Sequence, residues 1–204
     1  MPLKVPAMTL IYVHGFNSSE RSFKSQLIKQ AMASIGKEAD FYCPRLHWQP
    51  YLAIQQLEVL IEGKLASGQN VALVGSSLGG FYSLYLSEKY NLKAVLINPA
   101  VEAPILLQDL LGVQENPYTN ERYTLTQTHI EELQTIDVTK PTGNNIWLML
   151  QEGDEVLDYQ AALNRFKQVE RLTHEKGGDH SFVDFDRFAE TILEFTGVID
   201  RTCR

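Results

Sequence analysis

Cysteine is scarce: Cys43 and Cys203 are the only two in 204 residues, far apart and in no C-x-x-C arrangement. That excludes a cysteine-based zinc site and argues against a disulfide framework. Basic charge is also in deficit, with 18 Lys+Arg against 25 Asp+Glu, a formal charge of -7, and neither sign gathers into a block. A nucleic-acid partner requires a basic face that displaces counterions, so that class is disfavoured. No apolar run approaches the ~18 residues of a membrane span. Residues 1–8 carry neither the apolar stretch nor the cleavage site of a secretory signal. A cytoplasmic location is therefore expected. Internal repeats and low-complexity tracts are missing too, which removes solenoids and disordered linkers.

What remains has the balance of a folding chain, 44% hydrophobic and 21% charged. Its length suits one domain over residues 1–204. Residues 8–13 are an apolar run closed by His14-Gly15, a buried strand ending in a turn. Phe23, Leu27, Ile28, Ala31 and Ile35 then recur at helical spacing before Gly36. Residues 39–43 are a short strand candidate cut by Pro44, and Ile54, Leu57, Ile61 and Leu65 mark a second helix closed by Gly68. Residues 70–75 form the next strand, and Leu78, Phe81, Tyr82 and Tyr85 a helix that follows it almost at once. Further strands are expected at 93–98, 146–151 and 169–175. Helices are expected around Tyr159–Phe166 and Phe185–Phe195. Most of these strands are unbroken apolar runs, as required when both sheet faces are covered. Together with the alternation of strand and helix, they predict a doubly wound α/β sheet.

The chemistry centres on Gly75-Ser76-Ser77-Leu78-Gly79, a GxSxG sequence where the third strand hands over to its helix. A strand-to-helix turn this tight strains its central residue and demands small neighbours, lifting Ser77 above the sheet edge. The new helix aims free N–H groups and the positive end of its dipole at the same spot, which suits a developing oxyanion.

A serine hydroxyl needs a base, and five histidines are available: His14, His47, His129, His174 and His180. His180, in the loop Gly177-Gly178-Asp179-His180-Ser181, falls at the edge where a doubly wound sheet presents functional side chains. His174 lies within a strand, and His14 suits the shaping of a turn. The base in turn needs a carboxylate to fix its tautomer. Asp154 follows the strand at 146–151, with Glu152, Glu155, Asp158 and Asp179 as rivals. Asp158 is positioned to start the next helix, and Asp179 adjoins the histidine at a poor angle. A turn or N-cap role is the structural alternative for Asp154. The order Ser77, Asp154, His180 is the one expected on this kind of sheet.

These features together resemble an α/β-hydrolase over residues 10–195. His14-Gly15-Phe16-Asn17-Ser18-Ser19, Asn98-Pro99-Ala100 and Gly153-Asp154-Glu155-Val156-Leu157-Asp158-Tyr159 are more narrowly similar to the small YqiA-type bacterial esterases. The resemblance implies an esterase in which Ser77 is nucleophile, Asp154 acid and His180 base. The backbone N–H groups of Leu78 and Phe16 would form the oxyanion hole, with Asn17 an alternative to Phe16. Compared with larger α/β-hydrolases, the resemblance starts at the strand before His14, so their first hairpin is not expected. The implied substrate is a small-molecule acyl ester, and no metal or organic cofactor is needed because the oxyanion hole does the polarising. Thioesterase or acyltransferase chemistry would use the same triad, and a non-catalytic ligand-binding module is the rival from another class. Residues 101–138 fall where such folds carry a lid. Their cluster Ile105, Leu106, Leu107, Leu110 and Leu111 suggests a helix packed on the core or lining an acyl pocket. Trp48 and Tyr51 are further candidates for the mouth of that pocket.

Overall fold

The structure, a computed structural model, describes residues 7–200; Cys203 lies outside the described residues. In chain order the elements are β1 (Met8–Val13), α1 (Phe23–Ser34), β2 (Phe41–Tyr42), α2 (Pro50–Ala66), β3 (Asn70–Ser77) and α3 (Leu78–Tyr90). They continue with β4 (Lys93–Pro99), α4 (Ala103–Gln108), β5 (Gly112–Glu115), β6 (Arg122–Leu125) and α5 (Gln127–Thr135). Then come β7 (Ile146–Gln151), α6 (Tyr159–Arg165), β8 (Arg171–Glu175) and α7 (Ala189–Phe195). Six strands make one sheet in the order β2-β1-β3-β4-β7-β8, with every neighbouring pair parallel.

The consecutive apolar runs follow from this arrangement. Side chains alternate across a strand, so Leu10, Tyr12, Ala72, Val74, Val95, Ile97, Trp147 and Met149 face α1 and α7. Ile11, Val13, Leu73, Leu96 and Leu148 face α2, α3 and α6 on the other side. Trp147 is fully buried, and its indole N–H donates to Thr173 Oγ1 at 2.9 Å. The doubly wound sheet expected from the sequence is the fold observed. Among the described residues no helix is long and apolar enough to cross a membrane.

Several boundaries differ from the sequence reading. Residues 38–40 form one turn of 3-10 helix, leaving only Phe41 and Tyr42 to pair with β1. The last strand begins at Arg171 because the Glu170 N–H donates to the Gly143 carbonyl instead of joining the ladder with β7. The closing helix is split: Phe185–Phe188 is a 3-10 turn and α7 follows. Residues three apart eclipse in that tighter geometry, and both rings, Phe185 and Phe188, reach Phe182 in edge contacts.

The largest difference lies at 101–138. The leucine-rich helix stops at Gln108, leaving Leu110 and Leu111 partly exposed, and a hairpin of β5 and β6 separates α4 from α5. Its loop is held by Asn116, whose side-chain oxygen accepts the Tyr118 N–H at 2.9 Å. Tyr123 and Leu125 point inward from β6.

The join of β3 to α3 sets a severe steric limit. A Cβ on Gly79 would sit 1.9 Å from the Val13 carbonyl oxygen, whereas one on Gly63, on the exposed side of α2, would meet nothing within 4 Å. The same substitution should therefore have opposite signs at the two sites. Gly79→Ala is expected to lower Tm by about 5–10 °C through overpacking. Gly63→Ala should raise it by about 1–4 °C through helix propensity. Thermal melts of both variants check this, and a neutral Gly79→Ala would contradict the packing described.

Candidate active site

Ser77 is the last residue of β3 and the N-cap of α3 at once, with no loop between them. Its backbone has φ 56° and ψ -123°, a region that non-glycine residues avoid. Pairing on the far side holds it there, since the Ala100 N–H donates to the Ser77 carbonyl at 3.0 Å. Gly75 is required one turn back, because a Cβ there would lie 2.2 Å from the Gly79 carbonyl oxygen. Leu78, the first residue of α3, places its N–H among the free donors of that helix end.

Asp154 and His180 arrive from the ends of β7 and β8. The imidazole Nδ1 lies 2.8 Å and 3.0 Å from the two carboxylate oxygens of Asp154, whose side chain is 2% exposed. Asp154 Oδ1 also accepts the N–H groups of Val156 and Leu157 at 2.9 Å and 2.8 Å. The turn-stabilising role considered for Asp154 and its pairing with the histidine therefore coexist. Burial alone would raise this carboxyl. The hydrogen bond from His180, the two backbone N–H groups and the histidine's charge outweigh burial and hold it below the usual carboxylate range.

The other histidines have structural partners. His14 is buried: its Nδ1–H donates to the Gly15 carbonyl and its Nε2 accepts the Leu46 N–H, both at 3.1 Å. Burial pushes its pKa down, so the ring is neutral. His47 Nδ1 accepts the Gln49 N–H ahead of α2, and His129 Nδ1 accepts the Thr126 N–H to cap α5. His174 Nε2 lies 3.1 Å from Glu152. Three of the rival carboxylates are likewise engaged, Glu152 beside His174, Asp158 capping α6 and Glu155 accepting the His180 backbone N–H at 3.0 Å, whereas the buried Asp179 Oδ1 has no hydrogen-bond partner.

Two buried amides prove central: Asn98, which entered the sequence reading only as part of the family resemblance, and Gln151, which entered it only as the end of a strand. Asn98, at φ 39°, donates to the carbonyls of Asp179 and His180 and accepts the Gln151 N–H. Gln151 accepts the N–H groups of Asp179 and Val183 and donates to the Val183 carbonyl and Glu175. Together they clip the His180 loop to the ends of β4 and β7. A polar residue closing each otherwise apolar run was the signal available to the pattern reading.

On the opposite side of Ser77 the chain turns at Gly15–Ser18, closed by the Ser18 N–H on the Gly15 carbonyl at 3.3 Å. The two central N–H groups, of Phe16 and Asn17, lie outside that bond. A Cβ on Gly15 would be 3.2 Å from Ser77 Cβ, so the turn lies directly against the serine. The hairpin fastens the turn from above: the Tyr123 hydroxyl donates to Asn17 Oδ1 at 2.6 Å, and Asn116 Nδ2 to the Ser18 carbonyl at 2.9 Å.

Ser77, His180 and Phe16 line one cavity of about 530 Å³. Its apolar wall comes from Phe16, Phe23, Pro117 and Tyr118 rather than from the leucine cluster of α4. The interposed hairpin is the reason. Trp48 stacks on Tyr123 at 4.6 Å beside a smaller cavity behind the Phe16 turn that Leu78 also lines, and Tyr51 borders a separate groove between α2 and α5.

A serine raised between a parallel strand and its helix, with an Asp–His pair from the ends of the last two strands, is the layout of the α/β-hydrolase fold. Solved structures agree. A putative hydrolase from Agrobacterium vitis S4 is 20% identical with a TM-score of 0.72, covering 95% of this chain and 91% of that one. Est1E from Butyrivibrio proteoclasticus, solved with ferulic acid bound, is 15% identical with a TM-score of 0.70, covering 93% and 88%. The alpha/beta hydrolase domain-containing protein 10 from mouse is 17% identical with a TM-score of 0.71, covering 93% and 89%. The chain belongs to the family described as "Uncharacterised protein family (UPF0227)", whose profile matches residues 9–197.

A carboxyl held low in the folded state contributes stability above its unfolded pKa, about 4, and loses that contribution as pH falls through the lowered folded value. Asp154 should therefore steepen the acid limb of stability. Asp154→Asn is expected to flatten the fall of Tm between about pH 4 and pH 2. Part of the slope should remain because Glu175 is lowered in the same direction, with burial opposing and Gln151 and Arg187 prevailing. Melts across that range check it, and an unchanged slope would contradict the charge state assigned to Asp154.

Proposed function

We propose that this protein is a serine carboxylic ester hydrolase acting on small to medium acyl esters. The observation that carries the reading is the strained Ser77 turn sharing a cavity with His180, whose Nδ1 is taken by the buried Asp154 carboxylate. With Nδ1–H engaged, Nε2 is the nitrogen left to receive a proton. In the first step His180 Nε2 takes the Ser77 hydroxyl proton while Oγ bonds to the ester carbonyl carbon. The oxyanion is held by the N–H groups of Leu78 and Phe16. The tetrahedral adduct then expels the alcohol, which leaves with the proton from His180. In the second step His180 deprotonates a water that attacks the acyl-serine, and Ser77 recovers its proton as the acid departs. His14 keeps the Phe16 turn in place without competing for the proton, since its ring nitrogens are both occupied and its charge is suppressed by burial.

Relatives in fold support ester chemistry. One is Est1E with ferulic acid bound, and another is a monoacylglycerol lipase from Paleococcus ferrophilus, 15% identical with a TM-score of 0.61, covering 95% of this chain and 97% of that one.

A fluorophosphonate tests the reading by reacting with an activated serine. Intact-mass analysis is expected to show a single adduct that disappears in Ser77→Ala. Turnover of nitrophenyl esters should fall on the order of 10⁴-fold in the same variant. Correctly folded protein that takes no label, or a Ser77→Ala variant within tenfold of wild type, would overturn the proposal.

A further inference from the structure

The wall of the Ser77 cavity has a charge opposite to that of the chain as a whole. The protein carries a formal charge of -7. Among the described residues, no Asp or Glu lines this cavity, yet Arg21 and Lys24 both do. The two cations sit at the entry to α1. Arg21 has an 85% exposed side chain and only a distant contact with Glu20 at 4.0 Å, so its guanidinium is available at the rim. Lys24 is deeper, and its ammonium donates to the Ser181 carbonyl at 2.8 Å, leaving two further N–H donors on the nitrogen. Ser22 lies on the same wall.

The position of Lys24 says which half of a substrate would meet it. Ser181 adjoins His180, so the lysine lies on the histidine side of the cavity. Under the esterase reading His180 hands its proton to the departing alcohol, and the alcohol half must therefore occupy that side. We infer that the preferred esters carry an anionic group, carboxylate or phosphate, on the alcohol half, held by Lys24 and Arg21.

Burial supports this reading. It pulls the Lys24 ammonium down to about 8 against the favourable fields of Asp179 and Asp154. A substrate anion would supply the close counter-charge that the pair of carboxylates, neither of them on the cavity wall, provides only from behind.

The inference rests on the esterase proposal, and its test separates the two. Butyrate esters of 4-hydroxybenzoate and of 4-hydroxyphenyl phosphate are compared with the neutral 4-hydroxybenzamide ester, each kcat/KM being divided by that ester's own alkaline hydrolysis rate. Wild type is expected to favour at least one anionic ester by about tenfold, the size of a charge-assisted hydrogen bond, and the larger ratio identifies carboxylate or phosphate. Lys24→Met keeps the aliphatic stem and should bring the ratio toward one. Arg21→Glu, at an exposed position, should bring it to one or below. Nitrophenyl hemisuccinate against nitrophenyl butyrate places the charge on the acyl half and should show no such preference. A wild-type ratio within twofold of one, a ratio that survives both variants, or a preference confined to the hemisuccinate would overturn the inference while esterase activity stands. If none of these esters is hydrolysed, the esterase reading falls and the inference falls with it.

Discussion

The direct passage of β3 into α3 at Ser77 constrains everything around it. A non-glycine residue at φ 56° carries strain on the order of 1–3 kcal/mol, and it persists only where neighbours over-determine it. Here β3 lies inside the sheet with parallel partners on both sides, and the pairing with β4 continues past Ser76 to Ser77 and Pro99. Gly75 and Gly79 let helix and strands close to backbone contact. Because every strand of the sheet runs the same way, the loops after β1, β4, β7 and β8 emerge at the edge where Ser77 stands. The candidate site is thus a consequence of parallel topology and one strained turn.

Such an edge creates its own difficulty. Where a parallel ladder ends, backbone N–H and C=O groups lose their partners, and burying them unsatisfied would cost about 1–3 kcal/mol each. Asn98 and Gln151 stand at those ends and replace the ladder with side-chain amides that bond the loop carrying His180. Each is 2–3% exposed, so the network is shielded from water and bonds within it are strengthened. On the other flank Tyr123 and Asn116 do the same for the Phe16 turn. Both loops beside Ser77 are therefore held by polar side chains from elements distant in sequence.

That distance explains what could be read from the sequence and what could not. The strands of the large sheet, the helices between them and the Ser77 turn are written in local patterns of two, three or four residues, and they came through. The pairing of Asp154 with His180 was expected because each lies in the loop after an expected strand at the same end of the sheet, although only β7 is an apolar run and β8 is Arg-Leu-Thr-His-Glu. Their rivals had to be weighed by angle and spacing: Asp158 at the start of α6 was legible, whereas only coordinates show Glu155 bonding the His180 backbone and Glu152 beside His174. The hairpin at 112–125 was missed because two four-residue strands with one inward face offer too little alternation to stand out from a polar loop. The clips at Asn98 and Gln151 join residues tens of positions apart, and no window over the sequence contains both ends.

Charge gives the sharpest case of the same limit. A formal charge of -7 describes the protein's far field, and it argues against binding an extended polyanion. A cavity responds to the few groups on its wall, since low-dielectric walls focus their field. Arg21 and Lys24 are three residues apart at the start of α1, an unremarkable pair in the sequence with no signal of its own. Folding carries that end of the helix to the loop after β8, where Lys24 meets Ser181, 157 positions along the chain. Asp154 does not itself line the wall, since its carboxylate is buried behind His180 and tied to it, and its field reaches Lys24 only from behind. A net acidic protein thereby presents a cationic wall beside the one serine its fold holds under strain.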